Sequence, residues 1–340
     1  MERFKKRIYT CFRNWFMLFP EPIIRKYEIY IEKILKRRYY SSECKSLLNL
    51  NKTIIAVVDD KINAGGLSDR INGMISSYKI SKMLGYEFKI CHNQPFNLEI
   101  FLIPNKYDWS ISTNALSFNK NESTPIFIRA LNHQDNNKRI QSFKKAIFSK
   151  EKISQYHCYS NLMLFSDSEF NRYFNYLFKP SKTLQQAIDL NTKNIGDKYI
   201  SITFRFQQLL GDFNEGNFPI LEESKRSSLI NDCIAAVSNI ASRHESHKIL
   251  VTSDSITFLN IVGKMSNVYT IPGKLVHMAF TSDNSVETHL KSFVDLFMIA
   301  NAEKIYLVTS DKLYNSGFPL LASKINSKPF EIIHIKTVGV

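Results

Sequence analysis

Residues 53–85, TIIAVVDDKINAGGLSDRINGMISSYKISKMLG, decide the fold that the sequence predicts. Residues 53–58 form a short apolar run rich in β-branched side chains, which is typical of a buried strand. Gly65 and Gly66 follow, and glycine lets the backbone turn sharply and approach a ligand closely. Apolar side chains then recur at helical spacing, so the stretch predicts a strand, a glycine loop and a helix.

The start of this helix is a candidate anion site. Ser68 or Asp69 can cap it, and its first N–H groups then face the glycine loop. The residues expected on its buried face are Ile71, Ile75, Tyr78 and Met83. The glycine spacing is not G-x-G-x-x-G and no Lys-Ser/Thr pair follows, so the loop is neither a dinucleotide fingerprint nor a P-loop. An ordinary turn of an α/β domain explains it equally well.

The net charge of the chain is strongly positive and unevenly placed. A length of 340 residues predicts two domains, and 45 Lys and Arg against 31 Asp and Glu give a net charge of +14. Residues 1–50 hold twelve Lys and Arg against five Glu, a net charge of +7. Such a segment indicates an anionic partner, either a membrane surface or a polyanion.

Residues 1–50 contain two basic amphipathic patterns that Pro20 and Pro22 divide. Their apolar positions are Phe4, Ile8, Cys11, Trp15 and Leu18 in the first, and Ile24, Tyr27, Ile31 and Leu35 in the second. Because basic helices with aromatic side chains lie in membrane interfaces, we expect residues 1–40 to contact an anionic membrane surface. The alternative is that the helices pack on their own domain. No nucleic-acid-binding motif is recognisable, so we expect no nucleic-acid partner.

The five cysteines give no metal or disulfide pattern. They are Cys11, Cys44, Cys91, Cys158 and Cys233, an odd number without C-x-x-C or Cys/His metal spacing. We therefore expect free thiols in a reducing compartment, and no bound metal. No apolar run reaches the ~20 residues of a transmembrane helix, and the N-terminus lacks a signal-peptide core. These features predict a cytoplasmic protein.

Strands and helices alternate along the remainder of the chain. We expect one α/β domain over residues 51–190, with further strands at 87–91 and 125–129, and an exposed connection at 130–150. A second domain is expected over residues 191–340. Its predicted strands are 198–204, 248–252, 267–271, 304–308 and 330–335, and its predicted helices are 222–244, 255–262, 287–302 and 317–325. This alternation predicts parallel sheets with right-handed crossovers.

Polar residues follow three of the strands predicted in the second domain, where open α/β sheets bind their ligands. They are Arg205, Gln207, Gln208, Gly211, Asp212 and Glu215 after the first strand, Thr252, Ser253, Asp254 and Ser255 after the second, and Thr309, Ser310, Asp311, Asn315, Ser316 and Gly317 after the third. Arg205 can clamp a diphosphate bidentately, and the helix start at Ser316 can bind a phosphate. Asp254 can bond a base or ribose.

A general base for a sugar hydroxyl is available at either Asp212 or Glu215. Each of these polar residues also has an ordinary structural explanation as a cap, a turn or a loop residue. The histidines, including His92 and His277, are scattered along the chain, so we expect neither a catalytic histidine nor a metal site.

Four segments resemble the fucosyltransferase-like glycosyltransferases. They are GGLSDRINGMISSYKISK, SITFR, ILVTSDS and DLFMIANAEKIYLVTSDKLYNSGFPLLAS, and the resemblance spans about residues 53–335 in order. The family includes core α1,6-, rhizobial nodulation and protein O-fucosyltransferases, and bacterial proteins of surface-polysaccharide loci share the segment FNLEIFLIPNKYDW. The resemblance implies a GT-B-like α/β fold of two Rossmann-like domains facing a cleft. It also implies inverting transfer from a GDP-sugar without a metal or a further cofactor.

Individual residues carry the resemblance. Gly65, Gly66, Asp69 and Arg70 match the family's first glycine loop, on the cleft side. Arg205 matches an arginine that contacts the β-phosphate, and Asp254, after Thr252 and Ser253, matches an acidic residue near the nucleotide. Ser310, Ser316, Gly317 and Phe318 match a serine-rich loop that holds the diphosphate.

The chain departs from the family pattern before Arg205. It has Thr203-Phe204-Arg205-Phe206 where the fucosyltransferases have His-x-Arg. The family's catalytic carboxylate lies several residues beyond the arginine, where both Asp212 and Glu215 stand. The resemblance implies a membrane-peripheral bacterial enzyme of lipopolysaccharide or capsule synthesis, acting on a polysaccharide or lipid-linked glycan. A non-catalytic nucleotide- or glycan-binding scaffold is the alternative.

Overall fold

The computed structural model describes residues 21–47, 51–129, 135–213, 215, 218–281 and 283–337. The chain divides into two compact units. The first holds the described residues up to Asn97 together with Lys106–Ser166, and the second holds Leu98–Asn105 and the described residues from Asp167 onward. The domains 1–50, 51–190 and 191–340 expected from the sequence stay predictions.

The described α-helices and strands follow one another in a fixed order along the chain. In order they are α1 (Glu21–Tyr39), β1 (Thr53–Val58), α2 (Leu67–Leu84), β2 (Glu87–His92), β3 (Leu102–Pro104), β4 (Ser123–Ile128), α3 (Asn136–Phe148), β5 (Gln155–Ser160), α4 (Asp167–Leu177), β6 (Phe178–Pro180), α5 (Lys182–Ile195), β7 (Tyr199–Phe204), α6 (Glu223–Ser242), β8 (Lys248–Ser253), α7 (Ile256–Val262), β9 (Val268–Tyr269), α8 (Val286–Asn301), β10 (Ile305–Thr309), α9 (Gly317–Ile325) and β11 (Phe330–His334).

The first unit is built on a parallel sheet of order β2-β1-β5-β4. Thr53 of β1 is aligned with Glu87 of β2 and with Gln155 of β5. Every residue of β1 is buried, as expected for a parallel strand covered on both faces. The predicted strand–loop–helix unit of residues 53–85 is therefore confirmed as β1 and α2.

The second unit is built on a parallel sheet of order β11-β10-β7-β8-β9. β7 is fully buried and lies between β10 and β8. One face of α6 packs into the core of this unit through Leu229, Cys233, Val237 and Ile240. β3 and β6 form a separate antiparallel pair. The mixed α/β class and the parallel sheets that the alternation predicts are thus confirmed.

The stretch between β4 and β5 differs from its prediction. Residues 136–148, expected in an exposed connection, form α3, whose inner face buries Arg139, Phe143 and Ile147. β5 was not predicted at all, although it lies inside the first sheet. The sequence QYHCYS lacks the apolar run that is typical of a buried strand. Its polar side chains are buried because they have hydrogen-bond partners. Gln155, for example, accepts from the N–H of Ser117 and donates to the carbonyl of Ala115.

The prediction of a side-chain cap on α2 was wrong. Gly66 occupies the cap position, and no side chain caps the helix there. Ile71, Ile75 and Tyr78 are buried as expected, but Met83 in the last turn is 46% exposed. Among the described cysteines, Cys44, Cys91, Cys158 and Cys233 are free thiols.

The second amphipathic pattern is a helix, α1, that packs on the first unit. Ile24 and Leu35 are buried, and the Tyr27 ring lies 6.2 Å from the Phe127 ring of β4. The apolar face of α1 therefore faces protein, while the first pattern, Phe4 to Leu18, lies outside the described residues. Over the described ranges, every helix is too short or too polar to cross a bilayer.

Candidate active site

The three predicted strand ends meet at the carboxyl edge of the second sheet, because β7 pairs with both β8 and β10. Arg205 follows β7 directly and connects the three loops. Its carbonyl oxygen accepts the N–H of Tyr314, in the loop after β10, at 2.9 Å. Its Nη1 lies 3.2 Å from Oδ2 of Asp254, in the loop after β8. The three loops after β7, β8 and β10 therefore lie side by side at this edge, as their positions in the sequence predict.

The guanidinium of Arg205 is held on three sides. Nη1 faces Asp254, Nη2 forms an ion pair with Oε2 of Glu215, and Cζ lies 4.9 Å from the ring centroid of Phe213. The side chain nevertheless remains 19% exposed. A planar cation held in this way, and still reached by solvent, can bind two phosphate oxygens.

Asp254 holds both Arg205 and the turn that follows it. Its Oδ1 accepts the N–H of Phe206 at 2.8 Å, and its Oδ2 accepts the N–H of Gln207 at 2.7 Å. Burial raises the pKa of the carboxyl, and the charge of Arg205 and the two N–H donors act against that rise. The structure therefore places Asp254 as a brace of the turn, where the sequence suggested a contact with base or ribose.

Thr252 and Ser253 are buried in the same edge. Thr252 Oγ1 lies 2.8 Å from Oγ1 of Thr203 on β7, and either hydroxyl can donate. Ser253 Oγ accepts the N–H of Ser255 at 3.1 Å. Both side chains thus fasten the ends of neighbouring strands to each other or to the following loop.

The two candidate bases have different surroundings. Asp212 Oδ2 accepts from Oγ of Ser255 and from the N–H of Thr257, each at 2.8 Å, so it caps the start of α7. Glu215 pairs with Arg205 through Oε2, and its Oε1 lies 3.6 Å from Nε2 of His277. Of the two candidate bases, Glu215 and not Asp212 faces the arginine.

The loop after β10 leads into the start of α9. Ser310 Oγ accepts the N–H groups of Lys312 and Leu313 at 3.0 Å each, which closes the turn. Ser316 caps α9, and its Oγ accepts the N–H of Phe318 at 3.3 Å. A Cβ added at Gly317 would meet nothing within 4 Å, so the space beside this residue is open. The N–H of Gly317 is a donor to which an anion can bind.

The first glycine loop lies in the first unit and is shaped by Arg70. Arg70 is 5% exposed, donates from Nε to the carbonyl of Gly65 at 3.1 Å and from Nη1 to that of Gln94 at 2.8 Å. Burial lowers the pKa of Arg70 to about 10. Gly65 has a φ of +77°, and a Cβ there would lie 2.2 Å from Oδ2 of Asp69. Only glycine fits beside Asp69, and Gly66 then begins α2.

His277, one of the scattered histidines of the sequence, lies at this site with Nε2 3.6 Å from Oε1 of Glu215. It lies in the irregular segment between β9 and α8, more than 60 residues after Glu215 in the chain. No motif surrounds it, and only the fold brings its ring to the site. Within the described residues, no group of three His, Cys, Asp or Glu side chains is arranged to hold a metal ion.

Known proteins match this chain in structure but not in sequence. No protein-family model and no curated protein matches the sequence. The structure of NodZ α1,6-fucosyltransferase soaked with GDP-fucose aligns over 81% of this chain and 92% of that chain, with a TM-score of 0.53 and 14% identity. The chain has the fold of the fucosyltransferases.

Two further structures agree with this fold. NodZ from Bradyrhizobium aligns over 81% of this chain and 92% of its own, with a TM-score of 0.51 and 17% identity. A mutant of Arabidopsis thaliana FUT1 in complex with GDP aligns over 91% of this chain and 78% of its own, with a TM-score of 0.52 and 10% identity. The GT-B-like class expected from the sequence resemblance is confirmed at the level of fold.

Proposed function

We propose that the protein is a glycosyltransferase that moves fucose or a related sugar from a GDP-sugar to a glycan acceptor, with inversion and without a metal. The observation that carries the proposal is Arg205. It stands at the carboxyl edge of the second sheet, braced by Asp254 and Phe213, in the fold of enzymes solved with GDP or GDP-fucose. A diphosphate leaving group requires such a fixed cation.

The reaction that these residues support is an in-line displacement. Glu215 removes the proton of an acceptor hydroxyl, whose oxygen attacks C1 of the sugar from the face opposite the diphosphate. The bond from C1 to the diphosphate oxygen breaks, and its electron pair leaves with the GDP. Arg205 and the N–H of Gly317 stabilise the negative charge that develops there. We assign the base to Glu215 because Asp212 already caps α7.

The acceptor that we propose is a polysaccharide or a lipid-linked glycan of lipopolysaccharide or capsule synthesis, at the cytoplasmic face of the inner membrane. The surface of α1 opposite its buried face supports this location. An exposed stripe along that surface contains basic and apolar side chains side by side. It consists of Ile23, Lys26, Tyr30, Lys33 and Arg37. Ile23 is 43% and Tyr30 59% exposed. Basic side chains next to exposed apolar ones suit an anionic lipid surface.

Ligand-induced thermal stabilisation tests the proposal. GDP and a GDP-sugar should raise the melting temperature, because they bind only the folded state, while UDP, CDP, ADP and dTDP should not. Arg205→Ala should remove the GDP effect and lower turnover of GDP-fucose by about two to three orders of magnitude. Arg243→Ala is the control, since Arg243 is an exposed residue at the end of α6.

Three other outcomes would contradict part or all of the proposed function. A response to UDP or CDP alone would contradict the GDP assignment. GDP binding without turnover of any GDP-sugar would favour the non-catalytic scaffold, and no response to any nucleotide would overturn the proposed function.

A further inference from the structure

Gln207 has an unfavourable backbone conformation two residues after Arg205. Its φ is +57°, in the left-handed region that glycine adopts freely and that a residue with a Cβ avoids. Among the described residues, a positive φ without glycine occurs only at Asp60, Gln207 and Ser327. Such strain persists where the surrounding structure enforces it, and these positions are concentrated at functional sites.

Asp254 enforces the conformation of Gln207. The N–H of Gln207 donates to Oδ2 of Asp254 at 2.7 Å, and the N–H of Phe206 donates to Oδ1 of the same carboxylate at 2.8 Å. Asp254 is buried and directly follows β8, so a fixed group inside the second unit holds both N–H groups. The left-handed conformation is therefore a rigid feature of this turn.

One oxygen atom brings Gln207 next to the guanidinium of Arg205. Oδ2 of Asp254, which accepts the N–H of Gln207, also lies 3.2 Å from Nη1 of Arg205. Phe206 stands between the two residues and is fully buried, with its ring centroid 5.1 Å from that of Phe258. Arg205 and Gln207 are both half-buried. The core thus anchors the turn at Phe206, and the residues on either side of it reach solvent at the same edge of the sheet.

The amide of Gln207 has the chemistry of a sugar contact. Phosphate oxygens accept hydrogen bonds, and Arg205 and the N–H of Gly317 can both donate to them. A primary amide both donates and accepts, which suits the neighbouring hydroxyl groups of a sugar. In a nucleotide-sugar, the sugar is joined directly to the diphosphate. A residue next to the diphosphate-binding arginine is therefore well placed to contact it.

We propose that the amide of Gln207 binds hydroxyl groups of the transferred sugar and determines which GDP-sugar is used. The inference rests on the proposed function and names the residue that selects its donor. A site that bonds a substrate hydroxyl discriminates strongly against a sugar that places this hydroxyl elsewhere. The side chain, and not the backbone, then explains why a residue other than glycine stands in this turn.

Two variants separate the amide from the backbone. Gln207→Gly removes the side chain and relieves the strain, so its melting temperature should equal that of the wild type or exceed it by up to about 2 °C. Gln207→Met keeps the strain and the length of the side chain but lacks the amide. Both should be folded by circular dichroism.

Calorimetry and kinetics on both variants test the sugar contact. The Kd for GDP, which carries no sugar beyond the ribose, should stay within about twofold of the wild-type value. The Kd for GDP-fucose or GDP-mannose, whichever the wild type prefers, should rise about tenfold, the scale of one lost hydrogen bond. The ratio of kcat/KM between these two sugars should move toward one.

Ser327→Gly is the matched control. Ser327 has a φ of +51°, is exposed, and lies beyond the end of α9 that is remote from Gly317. Relief of the same kind of strain should leave its melting temperature at or above that of the wild type. Its affinity for GDP-fucose and GDP-mannose, and its kcat/KM ratio, should be unchanged.

The outcomes separate the inference from the proposed function. If the wild type binds GDP and both Gln207 variants keep its affinity and selectivity for GDP-sugars, the inference is wrong and the proposed function stands. A loss in Gln207→Gly alone would assign the effect to the turn, and an equal loss for GDP would assign it to the nucleotide; either result overturns the sugar contact. If the wild type binds neither GDP nor a GDP-sugar, the proposed function fails and the inference fails with it.

Discussion

Glu28 Oε1 lies 2.6 Å from Nη2 of Arg139, and the two side chains are only 1% and 2% exposed. The same oxygen accepts the N–H of Arg129 at 3.1 Å, just beyond β4. One turn later on α1, Glu32 Oε1 accepts the N–H of Phe127 within β4, also at 3.1 Å. Because β4 is an edge strand of the first sheet, these carboxylates cover N–H groups that would otherwise be open to another chain.

The buried pair of Glu28 and Arg139 should be a large contributor to the stability of the first unit. Glu28→Gln removes the charge that faces the buried Arg139, and Arg139→Met leaves the buried Glu28 its ion pair with Arg25 at 3.1 Å, so we expect the free energy of unfolding to fall by about 3 kcal/mol in each variant. Trp109 is 1% exposed in this unit, and in a Trp15→Phe background its fluorescence reports urea unfolding of the first unit alone.

The matched control for this pair is Glu43→Gln, which changes an exposed glutamate and should shift stability by less than about 0.5 kcal/mol. The double variant of Glu28 and Arg139 should lose less than the sum of the single losses, because each single variant already removes the contact that the two residues share. Single losses as small as that of the control would contradict the assignment.

Gly73 should tolerate no side chain. A Cβ at this position of α2 would lie 1.9 Å from the carbonyl oxygen of Ser160, at the end of β5. Within a helix, alanine is normally more favourable than glycine by about 1 kcal/mol. A loss of stability in Gly73→Ala would therefore show that the close contact with Ser160 outweighs the gain in helix propensity. We expect the contact to dominate, with a loss of about 3 kcal/mol or an insoluble protein.

Gly85→Ala is the comparison, since a Cβ there meets nothing within 4 Å, although its φ is +68°. This variant should lose only about 1–2 kcal/mol, the cost of a left-handed backbone for alanine. Equal stability of the two variants in the same urea titration would exclude a close approach of α2 to β5.

The sequence predicted the alternation of elements well because both sheets are parallel and their strands read as apolar runs such as TIIAVV in β1. It failed at β5 and α3, where buried polar residues such as His157 and Arg139 have hydrogen-bond partners far away in the chain. The same limit applies to the site. Strand ends could be placed together from topology alone, whereas the capping role of Asp212 and the approach of His277 to Glu215 depend on loop conformations that no local pattern encodes.

Asp212 should act on stability more than on turnover. Asp212→Ala removes the acceptor of Ser255 Oγ and of the Thr257 N–H at the start of α7, a cap whose loss costs about 1 kcal/mol. We expect a lower melting temperature and a turnover of GDP-fucose much nearer to the wild type than that of Glu215→Gln. If Asp212→Ala proves the more severe of the two in kcat, the base is Asp212.

His157 should make the first unit sensitive to acid. The side chain is fully buried on β5, with Nδ1 2.8 Å from the hydroxyl of Tyr40 and Nε2 3.3 Å from Oε1 of Gln155. Burial, with a smaller contribution from the charge of Lys61, lowers its pKa to about 3. Below about pH 6.5 the unfolded chain takes up a proton that the folded chain does not.

The stabilising effect of the neutral imidazole is therefore complete above pH 6.5 and is lost progressively as the pH falls toward 3. Between pH 7.5 and pH 5 the free energy of unfolding should fall by about 2 kcal/mol from this residue alone. Trp109 fluorescence in urea, measured in the Trp15→Phe background with and without His157→Asn at both pH values, isolates the contribution. A pH dependence that is the same in both proteins would rule out this role of His157.

The exposed stripe of α1 should govern binding to anionic lipid. Each basic side chain near such a surface contributes about 1 kcal/mol, so reversing Lys26, Lys33 and Arg37 to Glu should weaken binding to phosphatidylglycerol vesicles by at least about a hundredfold. The stripe lies opposite the face of α1 that contacts β4, and the triple variant should therefore keep the melting temperature of the wild type. Vesicle co-sedimentation at low and at physiological salt measures the effect, which salt should reduce.

The matched control reverses three exposed lysines on and after α3, Lys138, Lys145 and Lys152, and so changes the net charge by the same amount. If membrane binding depends on the position of the charges, this control should lose much less affinity than the α1 variant, and Tyr30→Ser should weaken binding without any change in charge. Equal losses in both triple variants would mean that net charge alone attracts the protein to lipid, and α1 would then not be the contact surface.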